Sequence, residues 1–415
     1  MTVDTESSRT PLSDRIGAAL APHLSGDSEQ IPALVDALLV EAHRVRASDL
    51  HLTSRRGGLE VRLRIDGDLH TAVALPRNLQ ELVIQRLKVM SRLVVYQRRE
   101  PQDGRIDTEL EGERVSLRAA FLPTLHGERV VIRFPDPRQG QVDLDQLGMS
   151  EALHGQLVHL LDQPQGSVLL TGPASSGKTT TIYAALRHLV ATRGRDLNIL
   201  TIEDPIEAEI EGVSQTQVDP GANLDFPRSL RAAMRQDPNV LVVGEIRDLE
   251  TASTAIQAAL TGHLLIATVH AGSSPGVFTR LVQMGVERYL LATAVSGVLN
   301  QRLARAVCPQ CSRPKAIDKG LARALGLSEG EVASLSPAEG QGCEHCNGTG
   351  CHGRVGVFEL LRTTPAIRQV ILSDATEGEI ASHAREAGQR TLRDDLIRTM
   401  GCGLIPPSEA LRLAR

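Results

Sequence analysis

Residues 168–185 read VLLTGPASSGKTTTIYAA. An aliphatic run ends at Gly172, four residues follow, and Gly177-Lys178-Thr179 leads into a stretch with Ile182, Leu186, Leu189 and Val190 on one helical face. The pattern is G-x4-G-K-[ST] between a predicted strand and a predicted helix, the arrangement of a phosphate-binding loop. Glycines let backbone N–H groups turn inward as an anion nest, and the positive end of the following helix adds to that field. Lys178 is placed to bridge β- and γ-phosphates, and Thr179 to put its hydroxyl on Mg²⁺. The predicted nucleotide-binding residues are Gly172, Pro173, Ala174, Ser175, Ser176, Gly177, Lys178, Thr179 and Thr180.

Three more aliphatic runs follow at intervals filled by helical patterns. NILTIEDPIE ends its run at Glu203-Asp204, VLVVGEIRD at Gly244-Glu245, and HLLIATVH at His270. Continuous aliphatic strands separated by helices predict a mostly parallel sheet covered on both faces. In such a sheet the strand C-termini converge on the ligand crevice. Glu203, Asp204, Glu245 and His270 are therefore expected beside the phosphates. One carboxylate can hold Mg²⁺ and another can orient and deprotonate the attacking water. Acids after strands also cap helices, and a lone histidine is commonly structural. The convergence of four polar residues favours catalysis. Gly244 stands where many P-loop enzymes have an Mg²⁺-holding aspartate, so the division of roles between Glu203 and Glu245 is open at this stage.

The remainder of the 415-residue chain frames this segment. Aromatics make up 2% of residues, with no Trp, so the cores must be aliphatic and a base-stacking surface is not expected. A net charge of -5 argues against direct nucleic-acid binding. No apolar run reaches the ~20 residues of a membrane span, and MTVDTESSRTPLSDRIG lacks the apolar stretch of a signal peptide. A cytoplasmic protein follows, with any membrane association made through partners. Residues 1–30 read as a flexible lead-in with one short helix. Residues 31–137 read as a small α+β domain: IPALVDALLVEAHRV and LQELVIQRLKVMSRL have helical periodicity, and LEVRLRIDGDLHTAV alternates around an Asp66-Gly67 hairpin turn. Residues 145–305 form the α/β domain, 306–358 a Cys/Gly/Pro-rich segment, and 359–415 a helical region.

Cys308-x-x-Cys311 and Cys343-x-x-Cys346 supply four of the six cysteines. Four thiolates satisfy tetrahedral Zn²⁺ with no open position, which makes a structural site. The 31 residues between the pairs are long for such a module, and LARALGLSEGEVASL reads as an inserted helix. Cys351, with His345 and His352, is a competing ligand set. Cys402 reads as a buried apolar residue.

Taken in order, TGPASSGKTTTIYAAL, LTIEDPIE, RQDPNVLVVGEIRD and TGHLLIATVHAGSS resemble the Walker A, Asp box, Walker B and His box of GspE/PilB-like secretion ATPases. ASDLHL, RLRIDG, REPQDGRI, LPTLHGERVVIRF and the two cysteine pairs extend the resemblance over roughly residues 31–400. It implies an α/β fold with a RecA-like P-loop ATPase domain. A small PAS-like α+β domain would precede it, with a tetracysteine zinc insertion and a helical C-terminus. It implies a catalytic set of Glu245 as activator of water, Glu203 as its helper or a metal holder, and His270 reporting on the γ-phosphate. Arg105 and Arg118, with Arg133 behind them, would approach the nucleotide from the N-terminal domain. The implied cofactors are ATP, Mg²⁺ and Zn²⁺. The implied assembly is a homohexamer acting on an inner-membrane platform protein and a pilin-like filament, in type II secretion or type IV pilus assembly. DNA-uptake or conjugation-type translocation and a nucleotide-binding scaffold without turnover are the alternatives. Two departures stand out. Ala174-Ser175 replaces the usual Thr-Gly, and about 30 residues precede the core where larger members carry a further domain.

Overall fold

The computed structural model describes residues 12–24, 28–136, 138 and 140–414, apart from the side chains of Ser28 and Arg195. The chain divides into two compact units. The first holds the described residues before Arg138 together with Arg305–Lys315 and Ala338–Gly353; the second holds the rest.

The first unit begins with α1 (Leu12–Leu20) and α2 (Ile31–Arg44). Then come β1 (Asp49–Arg55), β2 (Gly58–Ile65), β3 (Asp68–Pro76), α3 (Arg77–Met90), β4 (Gln102–Leu110), β5 (Glu113–Thr124) and β6 (Gly127–Arg133). The strands make one six-stranded sheet in the order β3-β2-β1-β6-β5-β4, with every neighbouring pair antiparallel. Alternation places Leu59, Val61, Leu63 and Ile65 of β2, and Leu117, Ala119 and Phe121 of β5, in one aliphatic core with the helices. The predicted hairpin turn is present: Asp66 and Gly67 both have positive φ, 49° and 96°, as a two-residue turn requires.

The lead-in needs correction. Residues 1–11 and 25–27 lie outside the described residues, but α1 is not loose. Ile16 and Leu20, one helical turn apart, are fully buried in the core of the first unit.

A buried charge pair fastens this unit. Lys88 on α3 is completely buried, its Nζ 2.6 Å from Glu128 of β6, and it donates to the Gln97 carbonyl at 2.6 Å. Such a pair adds little over an apolar one but is costly to break from one side.

The second unit runs α4 (Glu151–Leu161), β7 (Gly166–Thr171), α5 (Lys178–Arg193), β8 (Ile199–Glu203), β9 (Ser214–Gln217) and α6 (Phe226–Ala233). It continues with β10 (Val240–Ile246), α7 (Leu249–Leu260), β11 (Leu264–Val269), α8 (Ser274–Met284), α9 (Arg288–Ala294) and β12 (Val295–Val307). After an excursion through β13 (Ser312–Pro314), α10 (Lys319–Ala324), α11 (Glu329–Ser334) and β14 (Ala338–Gly340) comes β15 (Cys351–Arg362). Helices α12 (Pro365–Leu372), α13 (Glu377–Glu386), α14 (Leu392–Gly401) and α15 (Pro407–Ala414) follow. The large sheet has the order β15-β12-β7-β11-β10-β8-β9, and β12 through β9 are parallel. Its strands feed two cores. Val168 and Leu170 face the core under α4 and α5, whereas Leu169, Leu241, Val243, Leu265 and Ala267 face the core under α6 to α9. Both faces are covered, which is why these strands read as unbroken aliphatic runs.

The predicted 306–358 segment is divided. Its cysteine-bearing ends belong to the first unit, where Arg305 pairs with Asp68, the Gly353 N–H donates to Asp66 at 2.9 Å, and Arg15 of α1 donates to Asn347 at 3.0 Å. Ala316–Pro337 belongs to the second unit, where the Ser336 N–H donates to the Gly401 carbonyl at 2.9 Å. The single helix expected over 321–335 is instead two, α10 and α11. Gly326, at φ 62°, stops the first, and Ser328 caps the second. Cys402 is also corrected: it is exposed.

Replacing Lys88 with Met is expected to lower the unfolding free energy by about 3–5 kcal/mol, because Glu128 is then buried without its cation. Lys88→Met with Glu128→Leu should recover most of the loss. Urea titration followed by circular dichroism checks both; equal midpoints for wild type and Lys88→Met would show the pair to be inert.

Candidate functional site: a phosphate loop facing two unlike carboxylates

The loop after β7 has the backbone its residues suggest. Gly172 has φ 145° and lies so close to β12 that a Cβ there would sit 2.4 Å from the Gln301 carbonyl oxygen. Gly177, at φ 88°, is the N-cap of α5. Ser175 also sits at positive φ, 59°. This is a position that glycine would take freely, and a side chain there costs of order 1 kcal/mol or more. Gln301 holds the loop by donating to the Ser176 carbonyl at 2.8 Å. Lys178 folds back and donates to the carbonyls of Gly172 and Pro173 at 3.0 and 2.9 Å. Burial pushes the Lys178 pKa down, with Arg302 in the same direction and Glu245 opposing.

Beside this loop is a cleft of about 210 Å³ walled by Lys178, Thr179, Glu203, Asp204, Glu245 and His270. All the acids predicted from strand ends, and the histidine, are thus brought together with the phosphate loop. Pro173, Ala174 and Ser175 form its exposed turn, while Ser176 is buried beneath it. Thr180 lies in the first turn of α5.

The two glutamates differ in kind. Glu245 projects from β10 with Arg247 Nη2 at 2.6 Å and His270 Nε2 at 3.0 Å. Burial pushes its carboxyl pKa up, but Arg247, His270 and Lys178 more than offset this and hold it below the usual range. Glu203 is 6% exposed and is held by neutral donors. Its Oε2 accepts from the Tyr183 hydroxyl at 2.5 Å, and its Oε1 from Thr201 Oγ1 at 2.6 Å and Gln215 Nε2 at 3.0 Å. Burial, with the bond to Glu203, pushes the Tyr183 pKa up, so the phenol keeps its proton and donates. Glu245 is the carboxylate with cations around it and the cleft before it; Glu203 is anchored on both oxygens. Asp204 is exposed at the cleft rim.

Sequence reading missed Tyr183, Arg247, Gln215 and Gln301. Tyr183 falls five residues after Lys178 on α5 and is indistinguishable in sequence from a core aromatic.

Arg105, Arg118 and Arg133 belong to the first unit. Strand register sets Arg105 opposite Arg118, Arg118 opposite Arg133, Arg133 opposite Asp49, and Asp49 opposite Arg64. Four arginines therefore form one cross-strand row around a single aspartate. Arg133 donates to Asp49 at 3.0 Å, and Arg105 to Asp107 at 2.8 Å.

The four sulfurs of Cys308, Cys311, Cys343 and Cys346 lie within 4.8 Å of one another. Cys308–Cys343 and Cys311–Cys346 are each 3.8 Å apart and Cys343–Cys346 3.7 Å. A tetrahedral ion with ~2.3 Å bonds to sulfur requires edges of ~3.8 Å, whereas a disulfide requires ~2.05 Å. Backbone N–H groups of Gly342, Cys343 and Gly350 point at Cys311 or Cys346 sulfur at 3.1–3.3 Å, as suits thiolate charge. The donor set and spacing fit Zn²⁺. Cys351 is not part of the cluster, and His345 and His352 stack on each other instead, centroids 3.8 Å apart.

A parallel sheet with a phosphate loop at the end of β7 and acids at the ends of β8 and β10 defines a RecA-like P-loop nucleoside triphosphatase. Comparison narrows the class. Residues 25–412 match the family model for "Type II/IV secretion system protein". The chain is 43% identical over 389 residues to the type II secretion system protein E of Pseudomonas aeruginosa, covering 94% of this chain and 76% of that protein. It is 42% identical over 391 residues to the type II secretion system ATPase E of Vibrio cholerae, with the same coverage. Among solved structures, the Legionella pneumophila ATPase DotB aligns with a TM-score of 0.66 at 19% identity, covering 92% of this chain and 95% of that one. The pilus retraction motor PilT with bound ADP aligns at 0.59 and 25% identity, covering 92% and 96%. The chain belongs to the type II/IV secretion system protein family and is an ATP-hydrolysing member of it. No helix among the described residues is long and apolar enough to cross a membrane.

Metal analysis of the purified chain is expected to return one zinc per chain. A thiol reagent should then modify only Cys351 and Cys402, and all six cysteines after denaturation in chelator. Six fast-reacting thiols in the native protein would exclude a closed site.

Proposed function

We propose that this chain is a Mg²⁺-dependent motor ATPase that acts as a homohexamer at the cytoplasmic face of the inner membrane. It drives a pilin-like filament through a membrane platform protein. The supporting observation is the convergence of Lys178, Thr179, Glu245 and His270 on one cleft at the ends of parallel strands. In this reading the loop from Gly172 to Thr180 binds the triphosphate of ATP, and Lys178 leaves the two loop carbonyls for the β- and γ-phosphate oxygens. Thr179 would supply a hydroxyl to Mg²⁺, which when bound would help neutralise charge on the transferring phosphoryl group. Glu245 orients and deprotonates the attacking water. Its low pKa suits a base that must be ionised at neutral pH. His270, 3.0 Å from Glu245, carries the state of that centre into the loop that starts α8. Glu203 stays fixed at the cleft by its bonds to Tyr183, Thr201 and Gln215.

The arginine row supports a nucleotide-facing role for Arg105, Arg118 and Arg133. Strand register sets these three in one cross-strand row with Asp49 and Arg64. Arginine's planar fork matches phosphate oxygens, so such a row suits a polyphosphate. Cys308, Cys311, Cys343 and Cys346 hold a structural Zn²⁺ in place of a core that their short lobe is too small to form.

Steady-state phosphate release tests the reading. Lys178→Ala is expected to lower turnover about a hundredfold or more with the melting temperature unchanged, and Glu245→Gln to lower turnover while nucleotide binding persists. Wild-type turnover in Lys178→Ala refutes the site; wild-type behaviour of Glu245→Gln leaves a nucleotide-binding scaffold.

A further inference from the structure

Glu203 is a carboxylate buried at the edge of the cleft, and its donors, Tyr183, Thr201 and Gln215, are neutral. Its Oε2 has one of them, the Tyr183 hydroxyl. Tyr183 is 1% exposed, so its ring cannot swing out to solvent. The Tyr183 hydroxyl oxygen also accepts the N–H groups of Glu207 at 3.1 Å and Ala208 at 3.4 Å. Gln215 completes the arrangement by donating to Glu203 and to the Ala208 carbonyl, both at 3.0 Å, and accepting the Ile210 N–H at 2.8 Å. One hydroxyl on the helix that begins with Lys178 therefore grips both the carboxylate at the end of β8 and the chain that leaves it.

We propose that Tyr183 is a positioning residue for the ATPase reaction: its hydroxyl fixes the Glu203 carboxylate relative to the helix that carries Lys178 and Thr179. This rests on the cleft being the site of hydrolysis. The physical reason is that Lys178, Thr179 and Tyr183 share one rigid helix, so a nucleotide that seats Lys178 and Thr179 also sets where Glu203 sits. Without the hydroxyl, Glu203 keeps the Thr201 and Gln215 bonds on Oε1 only, and its free oxygen rotates toward whatever donor it finds. A carboxylate displaced by about 1 Å can cost up to a hundredfold in rate, while the phosphate loop is untouched.

The test is a cycle of Tyr183→Phe and Glu203→Gln in the full chain, read as kcat, KM for ATP and the affinity of a fluorescent ATP analogue. Tyr183→Phe keeps the buried ring. It is expected to lower kcat about tenfold, with KM and analogue affinity within about twofold of wild type. The double variant should turn over no more slowly than Glu203→Gln alone, because the hydroxyl acts through that carboxylate. A merely structural tyrosine would give effects that multiply, and multiplying effects overturn the proposal. So does wild-type kcat in Tyr183→Phe, or in Glu203→Gln. Thr201→Val removes a second donor to Glu203 without changing volume and should also lower kcat without changing analogue affinity. It carries the test if Tyr183→Phe melts at assay temperature, and an unchanged kcat there overturns the proposal. If Lys178→Ala retains turnover, the site itself is wrong. If Lys178→Ala is dead while Tyr183→Phe is normal, only the role of Tyr183 fails.

Discussion

Six neighbouring strands of the large sheet run in the same direction, and both faces of that sheet are sealed by helices. This constraint governs the rest. A strand covered on both sides can carry charged side chains only at its ends, because a charge placed mid-strand would be desolvated without a partner. Parallel strands deliver their C-terminal ends to one edge. Glu203, Glu245 and His270 occur immediately after or within the last residues of β8, β10 and β11 for this reason, and the phosphate loop follows β7 at the same edge. The chemistry of the cleft is a consequence of sheet direction and helix cover.

Within that edge, environment assigns the roles. Glu203 and Glu245 have the same local description: a glutamate closing an aliphatic run. What separates them comes from elsewhere in the chain. Gln215 on β9 and Tyr183 on α5 satisfy Glu203 with neutral donors. Arg247, His270 and Lys178 surround Glu245 with cationic or cation-capable groups. A carboxylate held by neutral donors on both oxygens is fixed in place. One held ionised by its neighbours, with the cleft in front of it, is available to a water molecule.

Much of this was legible in the sequence, for identifiable reasons. Period, turn chemistry and motif spacing are local properties, so the parallel sheet, the Asp66-Gly67 hairpin and the loop at Gly172–Thr180 could be read residue by residue. The four cysteines were readable because metal geometry demands a fixed donor count. The failures were non-local. Docking of α1 rests on a short stripe, Leu12, Ile16 and Leu20, too short to distinguish from a solvated helix. The break at Gly326 lies inside a pattern whose apolar spacing continues across it. Cys402 is a small apolar type whose exposure depends on what packs against the end of α14. Tyr183 shows the general limit: its ring behaves as core, and its function lies in one oxygen whose partners are set by tertiary structure.

The departure at Ala174-Ser175 bears on the same energetics. Ser175 occupies positive φ in the loop, so a conformation that a glycine would populate freely is here held against a steric cost. The cost must be met by the contacts that over-determine the loop: Gln301 on the Ser176 carbonyl, the close approach of Gly172 to β12, and Lys178 on the carbonyls of Gly172 and Pro173. The last of these is the one a triphosphate would compete for. A nucleotide that draws Lys178 away must replace that restraint with bonds from its own phosphate oxygens to the loop N–H groups. Phosphate binding and loop geometry are thus one balance, and the side chain at 175 sets how far that balance lies toward the loop that is already formed.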